Sequence, residues 1–548
     1  MSEVSPALEL RGRTAPWGRA ALLLGALVAV GLGLRLWGLS AEGFGDDEVH
    51  KWLAANRYLQ GDLGGDDVEH PMLMKALIFL ALLVGRALHW APETITRLPN
   101  ALAGGVSIAV VAQLGRRLFG RAAGVWAAAL AAVSVTLVGY QRVAKEDTLL
   151  GLFLMLLCWS FAEAYAAAQD GRREDQKRWE LWSAAALGGM LASKYFFFLT
   201  PIPVVAYLWL RGAGPAFRVP LARWLQLIGV AMLVWICLNW TPFLPSTWEY
   251  AKSYTSGAQT VHGSLYFMGR IYHNLVEYGL KGTPPWFYLV FAAVKLAPLT
   301  FFFACAGLGL ALWQRRASHR IVLSWMAVWF VVHSASGSKW GRFFTSVLPA
   351  FLLLAGYLAA LLIEKLRAAY PASPGQRAPA LGAMLVAVFL VGTEAQAAFT
   401  HAPHERLYIS PLGGGEAKLQ YYFPHCDYFD AGFREAVQYV AAHAEPNAEL
   451  STEIDWPAKL YSELAGRSDL TQTLVRRGRT CRAGKVCYVV VQAGRLYFLN
   501  QDAVGFLAAR QPWHVEQIRG QDVVKVYRLL PGESPFPDEN SPVRASSR

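Results

Sequence analysis

Three adjacent acids, Asp46, Asp47 and Glu48, follow the first long apolar run of the chain. Carboxylates packed this closely beside a low-dielectric boundary repel one another, which moves a carboxyl toward the range of a general base. A solvated acidic loop is the plainer account of the same triplet. Asp147 opens a second hydrophobic stretch, where a carboxylate either caps a helix N-terminus or marks a site at a membrane edge. Several cations fall in loops predicted on the same side: Lys75, Arg142, Lys145, Lys194, Lys339 and Arg342. Short loops on that side are ordinarily poor in Lys and Arg. Their gathering suits an anion held at the interface, such as phosphate on a lipid, with Arg offering a fork and Lys a point charge. Headgroup anchoring remains the alternative for any single one.

The elements that must position these residues are membrane helices. Hydrophobic residues make up 54% and charged residues 16% of the chain, against roughly 25% charged in an ordinary globular protein. Apolar runs long enough to cross a bilayer, roughly 20 helical residues each, recur between residues 20 and 399 and then stop. The net charge of +12 fits Lys and Arg at cytoplasmic helix ends. No basic stripe with interleaved aromatics stands apart from the spans, so nucleic-acid binding is excluded.

Charge bias sets the predicted topology. Arg11, Arg13 and Arg19 keep the N-terminus cytoplasmic before a span at 20–39, and no small-x-small cleavage site follows that run. Residues 41–70 carry eight acids and only Lys51 and Arg57 as basic residues, so they are expected outside. Basic turns at Arg116, Arg117 and Arg121, at 170–180, at Arg211, Arg218 and Arg223, at Arg315, Arg316 and Arg320, and at Lys365 and Arg367 require an even number of crossings between neighbours. That parity gives spans near 97–115, 122–140 and 148–168, a tight hairpin over 181–210 with Lys194 near its outer tip, and further spans at 224–243, 286–312, 320–337, 343–363 and 380–398. The apolar run 72–90 breaks the parity and is expected to lie along or dip into the membrane, as elements lining a site do.

The expected fold class is an all-α polytopic domain of about eleven transmembrane helices plus outer juxtamembrane helices, with a small C-terminal α/β domain. The division is 1–399, with outer loops 40–96 and 244–285, and 400–548. In the tail, 431–444 reads as a helix, 486–492 and 523–529 read as strands, and the last fifteen residues read as disordered. Among six cysteines, Cys158, Cys237 and Cys305 sit in apolar runs as small core residues. Cys481 and Cys487 suit either a short disulfide or a free pair. No zinc-type cluster is present.

Several stretches, in order, resemble the GT-C membrane glycosyltransferases related to protein O-mannosyltransferases and bacterial aminoarabinose transferases. "GDDEVHK" is similar to the acidic motif of that family, and "EHPMLMKAL" resembles its His-Pro-Pro-Leu-x-Lys stretch, with Met72 in place of the second Pro. "RLPNALAGG", "GRRLFG", "RVAKEDTLLGLF", "VHGSLYFMGR", "PPWFYLVFAAVKLAP" and "SKWGRFFTSVLPAFLLLAGY" follow the family through its later spans. "YISPLGGG" and "CDYFDAGFREAVQYV" resemble its soluble-domain stretches.

The resemblance implies a polyprenyl-phosphate sugar donor and an inverting transfer to a protein, lipid or glycan acceptor at the outer face of a bacterial inner membrane. The C-terminal domain would be periplasmic. Asp47 would be the general base, with Glu48 or Asp147 orienting the acceptor or the base. Lys194, Lys339 and Arg342 would hold the leaving lipid phosphate, and Asp46, His70, Lys75, Arg142 and His262 complete the expected substrate-binding set. A lipid-linked donor needs no sugar-nucleotide loop, and a divalent metal stays open: the acids would suit one, but no ligand set stands out. Two other classes use the same residues: a transporter of an anionic lipid, which needs polar groups deeper in the spans such as Glu163 and Lys295, and a membrane anchor for the soluble domain. Ionisable residues mostly at span ends favour interfacial chemistry over transport.

Overall fold

A computed structural model describes residues 20–64, 67, 70–211, 217–255, 263–369, 378–477, 480–481 and 484–537. The predicted cytoplasmic arginines before residue 20, His262, and most of the C-terminal stretch predicted as disordered lie outside the described residues.

The membrane part begins with α1 (Ala20–Leu36), α2 (Asp46–Leu59), α3 (Met72–Ala87), α4 (Pro92–Phe119), α5 (Arg121–Val133), α6 (Val135–Gln141) and α7 (Asp147–Gln169). It continues with α8 (Arg173–Ser193), α9 (Pro201–Arg211), α10 (Leu221–Leu238) and α11 (Pro245–Thr255). After a short hairpin of β1 (Ser264–Phe267) and β2 (Arg270–His273) come α12 (Phe287–Lys295), α13 (Pro298–Gln314), α14 (Ala317–Ala335), α15 (Leu348–Ala369), α16 (Ala378–Val386) and α17 (Gly392–His401). Five described helical segments are long and apolar enough to cross a bilayer: Pro92–Phe119, Asp147–Gln169, Leu221–Leu238, Leu348–Ala369 and Leu381–His401. α5 and α6 together make a sixth, bent by 57°, and 20–36, 197–211 and 298–314 are shorter apolar helices. α8 and α14 occupy the spans predicted near 181 and 320 without meeting that measure of length and composition, because charged and polar residues fall within them: Arg173 to Glu180 in α8, and Ser318, His319, Arg320 and His333 in α14. Gln176, for example, donates to Glu180, which also accepts from Arg223.

The chain turns at Lys194 as predicted, but the two arms do not pair as a tight hairpin: α8 packs on α7 and α10, and α9 packs on α14. The parity-breaking run is α3. It buries Met74, Ile78 and Leu82 and exposes Leu80, Leu83 and Val84, as a helix lying against one side of a bundle does.

The break at Ser134 orphans backbone groups inside the bundle, and two charged side chains take them up. Arg35 donates to the carbonyls of Ala131 (2.9 Å) and Ala132 (3.1 Å) at the end of α5. Glu394 accepts the N–H of Val135 and that of Ala297, both at 3.2 Å, so one carboxylate caps the starts of α6 and α13.

Beyond α17 come α18 (Leu419–Tyr422), α19 (Pro424–Tyr428), α20 (Phe433–His443), β3 (Glu449–Thr452), α21 (Asp455–Leu464), β4 (Thr471–Leu474), β5 (Cys487–Gln492), α22 (Gln501–Ala508), β6 (His514–Ile518) and β7 (Gln521–Leu529). They form a mixed five-stranded sheet of order β4-β3-β5-β7-β6, with β3 parallel to β4 and β5, and β7 antiparallel to β5 and β6. β5 is buried on both faces, which its unbroken apolar run anticipates. Tyr488 and Val490 enter the core with Val437 of α20, and Cys487 and Val489 the one with Leu507 of α22. Cys481 and Cys487 are joined as a disulfide.

Candidate functional site

α2 carries the acidic triplet in its first turn, where negative charge meets the positive end of the helix dipole. Glu48 reaches back to accept the Gly45 N–H at 3.0 Å, half of a capping box. The helix stops where Gly61 takes φ +81°, a conformation that costs glycine little. The three acids then diverge. Asp47 is directed at Lys145, with which it forms an ion pair, and its side chain is 35% exposed. Arg342 lies 3.9 Å from the same oxygen.

Glu48 is fully buried. It accepts two bonds from Arg97 (2.9 and 2.6 Å) and one from the Ala144 N–H (2.8 Å). Burial opposes its charge, but Arg97 outweighs this and holds the carboxyl below its usual range. Asn100 donates to the carbonyls of Val143 and Lys145. Glu48 and Asn100 together fix loop 142–146, and thereby aim Lys145 at Asp47. Asp46 faces Arg495 at 3.9 Å. Burial pushes its carboxyl up, against the pull of Arg495 and with the help of Asp430.

Asp147 is the first residue of α7, and its side chain makes no capping bond. It accepts from Lys194 at 2.7 Å and lies 3.6 Å from Arg342. The turn after α8 thus brings Lys194 to the start of α7. Lys194 and Arg342 share an aromatic frame: the ammonium lies 4.6 Å from the Phe196 ring and 4.3 Å from Phe343, and the guanidinium 5.5 Å from Phe343 and 4.9 Å from Trp340. Such faces hold cations without spending their hydrogen-bond donors. Burial and the Arg342 charge push the Lys145 ammonium well below the usual lysine range, and burial pushes Lys194 down despite Asp147.

A cleft beside these groups is lined by Lys145, Asp147, Arg342, Arg406, Cys426 and Phe429, with Tyr140 and Val143 behind. Two carboxylates, Asp47 and Asp147, meet three cations, Lys145, Lys194 and Arg342. The excess positive charge suits an anionic ligand.

The remaining predicted site residues sit elsewhere. Arg142 is spent on Glu405 (2.8 and 2.6 Å) and on the carbonyls of Trp37, Gly38 and Pro403. Lys339 donates to the carbonyls of Thr283 and Ser336, and Lys75 to those of Asp67 and His70. All three are buried, and none lines the cleft. His70 bonds Asp67 at 2.7 Å and lies 3.7 Å from Glu146. Asp67, His70 and Glu146 offer ligand atoms within 4.8 Å of one another, the one such group among the described residues. Lys51 already lies 2.9 Å from Glu146 and 3.5 Å from Asp67, and Lys75 lies 3.9 Å from Asp67. Two ammonium groups balance the two carboxylates, so this donor set does not fit a divalent ion. Of the polar groups deeper in the predicted spans, Glu163 pairs with Arg117 at 3.3 Å and Lys295 with Asp427 at 2.8 Å.

Sequence reasoning did not single out Arg406 or Phe429 as site residues. Arg406 pairs with Glu42, and its guanidinium lies 5.7 Å from the Phe429 ring. Both follow the last span, and no local pattern connects them to residues 47 or 147. The order of the family-like stretches is the one signal that could have placed them.

Residues 69–240 match the family model described as dolichyl-phosphate-mannose-protein mannosyltransferase. The fold is similar to that of ArnT from Cupriavidus metallidurans in the apo state (TM-score 0.53, 14% identity, 93% of this chain and 98% of that one). It is also similar to the archaeal oligosaccharyltransferase AglB from Archaeoglobus fulgidus in complex with an inhibitory peptide and a dolichol-phosphate (TM-score 0.51, 13% identity, 87% of this chain and 70% of that one). No curated protein sequence matches the chain. The fold is that of the GT-C membrane glycosyltransferases, in a multi-pass membrane protein. Within that fold class, the sequence similarity to the mannosyltransferase family model is confined to residues 69–240.

Proposed function

We propose that the protein transfers a sugar from a polyprenyl-phosphate donor to an acceptor hydroxyl, with Asp47 as the general base. The observation that carries this reading is the alternation Lys145–Asp47–Arg342–Asp147–Lys194. Asp47 is 35% exposed and Asp147 only 4%, so Asp47 is the carboxylate of the pair that an incoming hydroxyl reaches. Its carboxylate takes the hydroxyl proton as the acceptor oxygen bonds to the anomeric carbon. The bond from that carbon to the phosphate oxygen breaks, and the electron pair leaves on the lipid phosphate. Lys194 and Arg342 meet that charge in a poorly hydrated site, where fixed cations act strongly. Asp147 holds both cations in place. Lys145 and Arg342 flank the Asp47 carboxylate and hold it toward the cleft.

In this reading Glu48 positions the base, and the acceptor is a protein, lipid or glycan. The chain lies in a bacterial inner membrane with its N-terminus cytoplasmic and residues 400–548 as a periplasmic domain beside a catalytic unit of 1–399. GT-C similarity and pinned deep charges, Glu163 on Arg117 and Lys295 on Asp427, favour transfer over transport. The test is release of radiolabelled sugar from polyprenyl-phosphate donors by purified protein in liposomes. Consumption of at least one donor is expected. A broad panel left intact, with folded protein present, overturns the proposal.

A further inference from the structure

The turn Phe429–Asp430 joins the sheet-bearing region to the cleft. Both residues have left-handed backbones, φ +44° and +65°, a conformation that side chains other than glycine adopt at a cost and that clusters at functional sites. A buried network holds the turn. Asp430 is 4% exposed and accepts from Arg495 at 2.7 and 2.5 Å and from Gln492 at 2.8 Å. Gln492 ends β5, so the turn is anchored to the central strand of the sheet. Asp430 Oδ2, which takes the 2.5 Å bond from Arg495, also accepts the Asp46 N–H at 3.1 Å, a donor at the start of α2. Arg495 also faces the Asp46 carboxylate at 3.9 Å.

Phe429 itself points the other way. Its ring lies 5.9 Å from the Lys145 ammonium and 5.7 Å from the Arg406 guanidinium, and it lines the cleft. It also packs on Gly45: a Cβ there would stand 2.4 Å from the ring. A side chain at Gly45, the residue just before α2, would collide with the ring.

We propose that the Phe429–Asp430 turn is a working part of the active site. Asp430 and Arg495 are positioning residues that seat the first turn of α2, and with it Asp47. Phe429 is the aromatic wall that sets Lys145 against that carboxylate. This inference rests on the proposed transfer reaction and gives the residues after the last span a role in the chemical step. It places donor binding mainly on Lys194 and Arg342, which the turn does not touch. Loosening the turn therefore lowers kcat and leaves the donor KM nearly unchanged.

The test uses full-length protein in liposomes, with Asp430→Asn, Phe429→Leu and Phe429→Tyr. Misplacing a reacting group by about 1 Å costs on the order of 100-fold in rate. Asp430→Asn and Phe429→Leu are expected to lose kcat on that scale at unchanged donor KM, with an altered pH profile of kcat, and Phe429→Tyr to restore most of it. Normal kcat in both deficient variants overturns the proposal, as does a loss that only tracks the folded fraction. Hydrogen exchange supplies a readout independent of catalysis. In Asp430→Asn the amides at the start of α2 are expected to exchange faster while β5 stays protected. If the wild type consumes no donor, the proposed function fails, and unchanged exchange at α2 then sinks the positioning role separately.

Discussion

Glu48 sits one residue from Asp47, yet its surroundings make it a structural charge. Its four bonds are two from Arg97, one from Gly45 and one from Ala144. In Glu48→Gln the amide nitrogen must replace one acceptor oxygen. That nitrogen would face either the Arg97 and Gly45 donors or the Arg97 and Ala144 donors. Two bonds are lost, one of them from Arg97, and the Arg97 guanidinium loses its carboxylate hydrogen-bond partner. Removing one partner of a buried ion pair costs about 3–5 kcal/mol. Arg97 keeps its bonds to the carbonyls of Leu39, Glu42 and Gly43, so the expected loss for Glu48→Gln is near the lower end, about 3 kcal/mol. Unfolding in detergent micelles measures it. Transfer should fall along with stability, because loop 142–146 and Lys145 lose their anchor. A Glu48→Gln protein with wild-type unfolding and abolished turnover would refute the reasoning and make Glu48 a chemical participant.

The other predictions draw on the same geometry. Lys145 and Lys194 are pushed down by burial, so they lose their protons at lower pH than ordinary lysines. Donor KM should therefore rise with pH before the usual lysine range as Lys194, which holds the donor, loses its charge, and Lys194→Arg should weaken that dependence; a KM flat up to about pH 10 contradicts it. Breaking the buried Lys295–Asp427 pair by Lys295→Met should cost about 3 kcal/mol, and adding Asp427→Leu should recover most of it, as unfolding of the single and double variants would reveal. Burial pushes the Asp427 carboxyl up to about 6, against the pull of Lys295. The folded state thus holds a proton between about pH 4 and 6 that the unfolded chain has released, and Asp427 makes stability fall as pH rises through that window; Asp427→Asn should flatten the fall. Reducing Cys481–Cys487 closes no long loop and should cost about 2 kcal/mol, read from unfolding with and without reductant.

The sequence carried the spans because each has to be apolar over its own length. The turn at Lys194 followed from charge parity, and α20, β5 and β7 from local periodicity. Asp47, Asp147, Lys194 and Arg342 were legible for a related reason: charges at span ends are few, and topology brings them to one side. Arg142, Lys75 and Lys339 carry the same signal but serve backbone carbonyls. Whether a loop cation turns into a cleft or into the chain depends on contacts across tens to hundreds of residues. Arg406 and Phe429 depend on how the region after α17 folds back over α2, which nothing near them in sequence encodes. Arg35 and Glu394 look like misplaced charges until the break at Ser134 supplies the helix ends that they satisfy.

The most direct test of the central claim is Asp47→Asn, measured for sugar transfer and, separately, for binding of polyprenyl phosphate. Removing a general base typically costs about 10²- to 10⁴-fold in rate. Arg342 loses a competing carboxylate, so binding of the lipid phosphate should hold or tighten. Transfer lost with lipid-phosphate binding retained is the predicted result. Full turnover in Asp47→Asn contradicts the account.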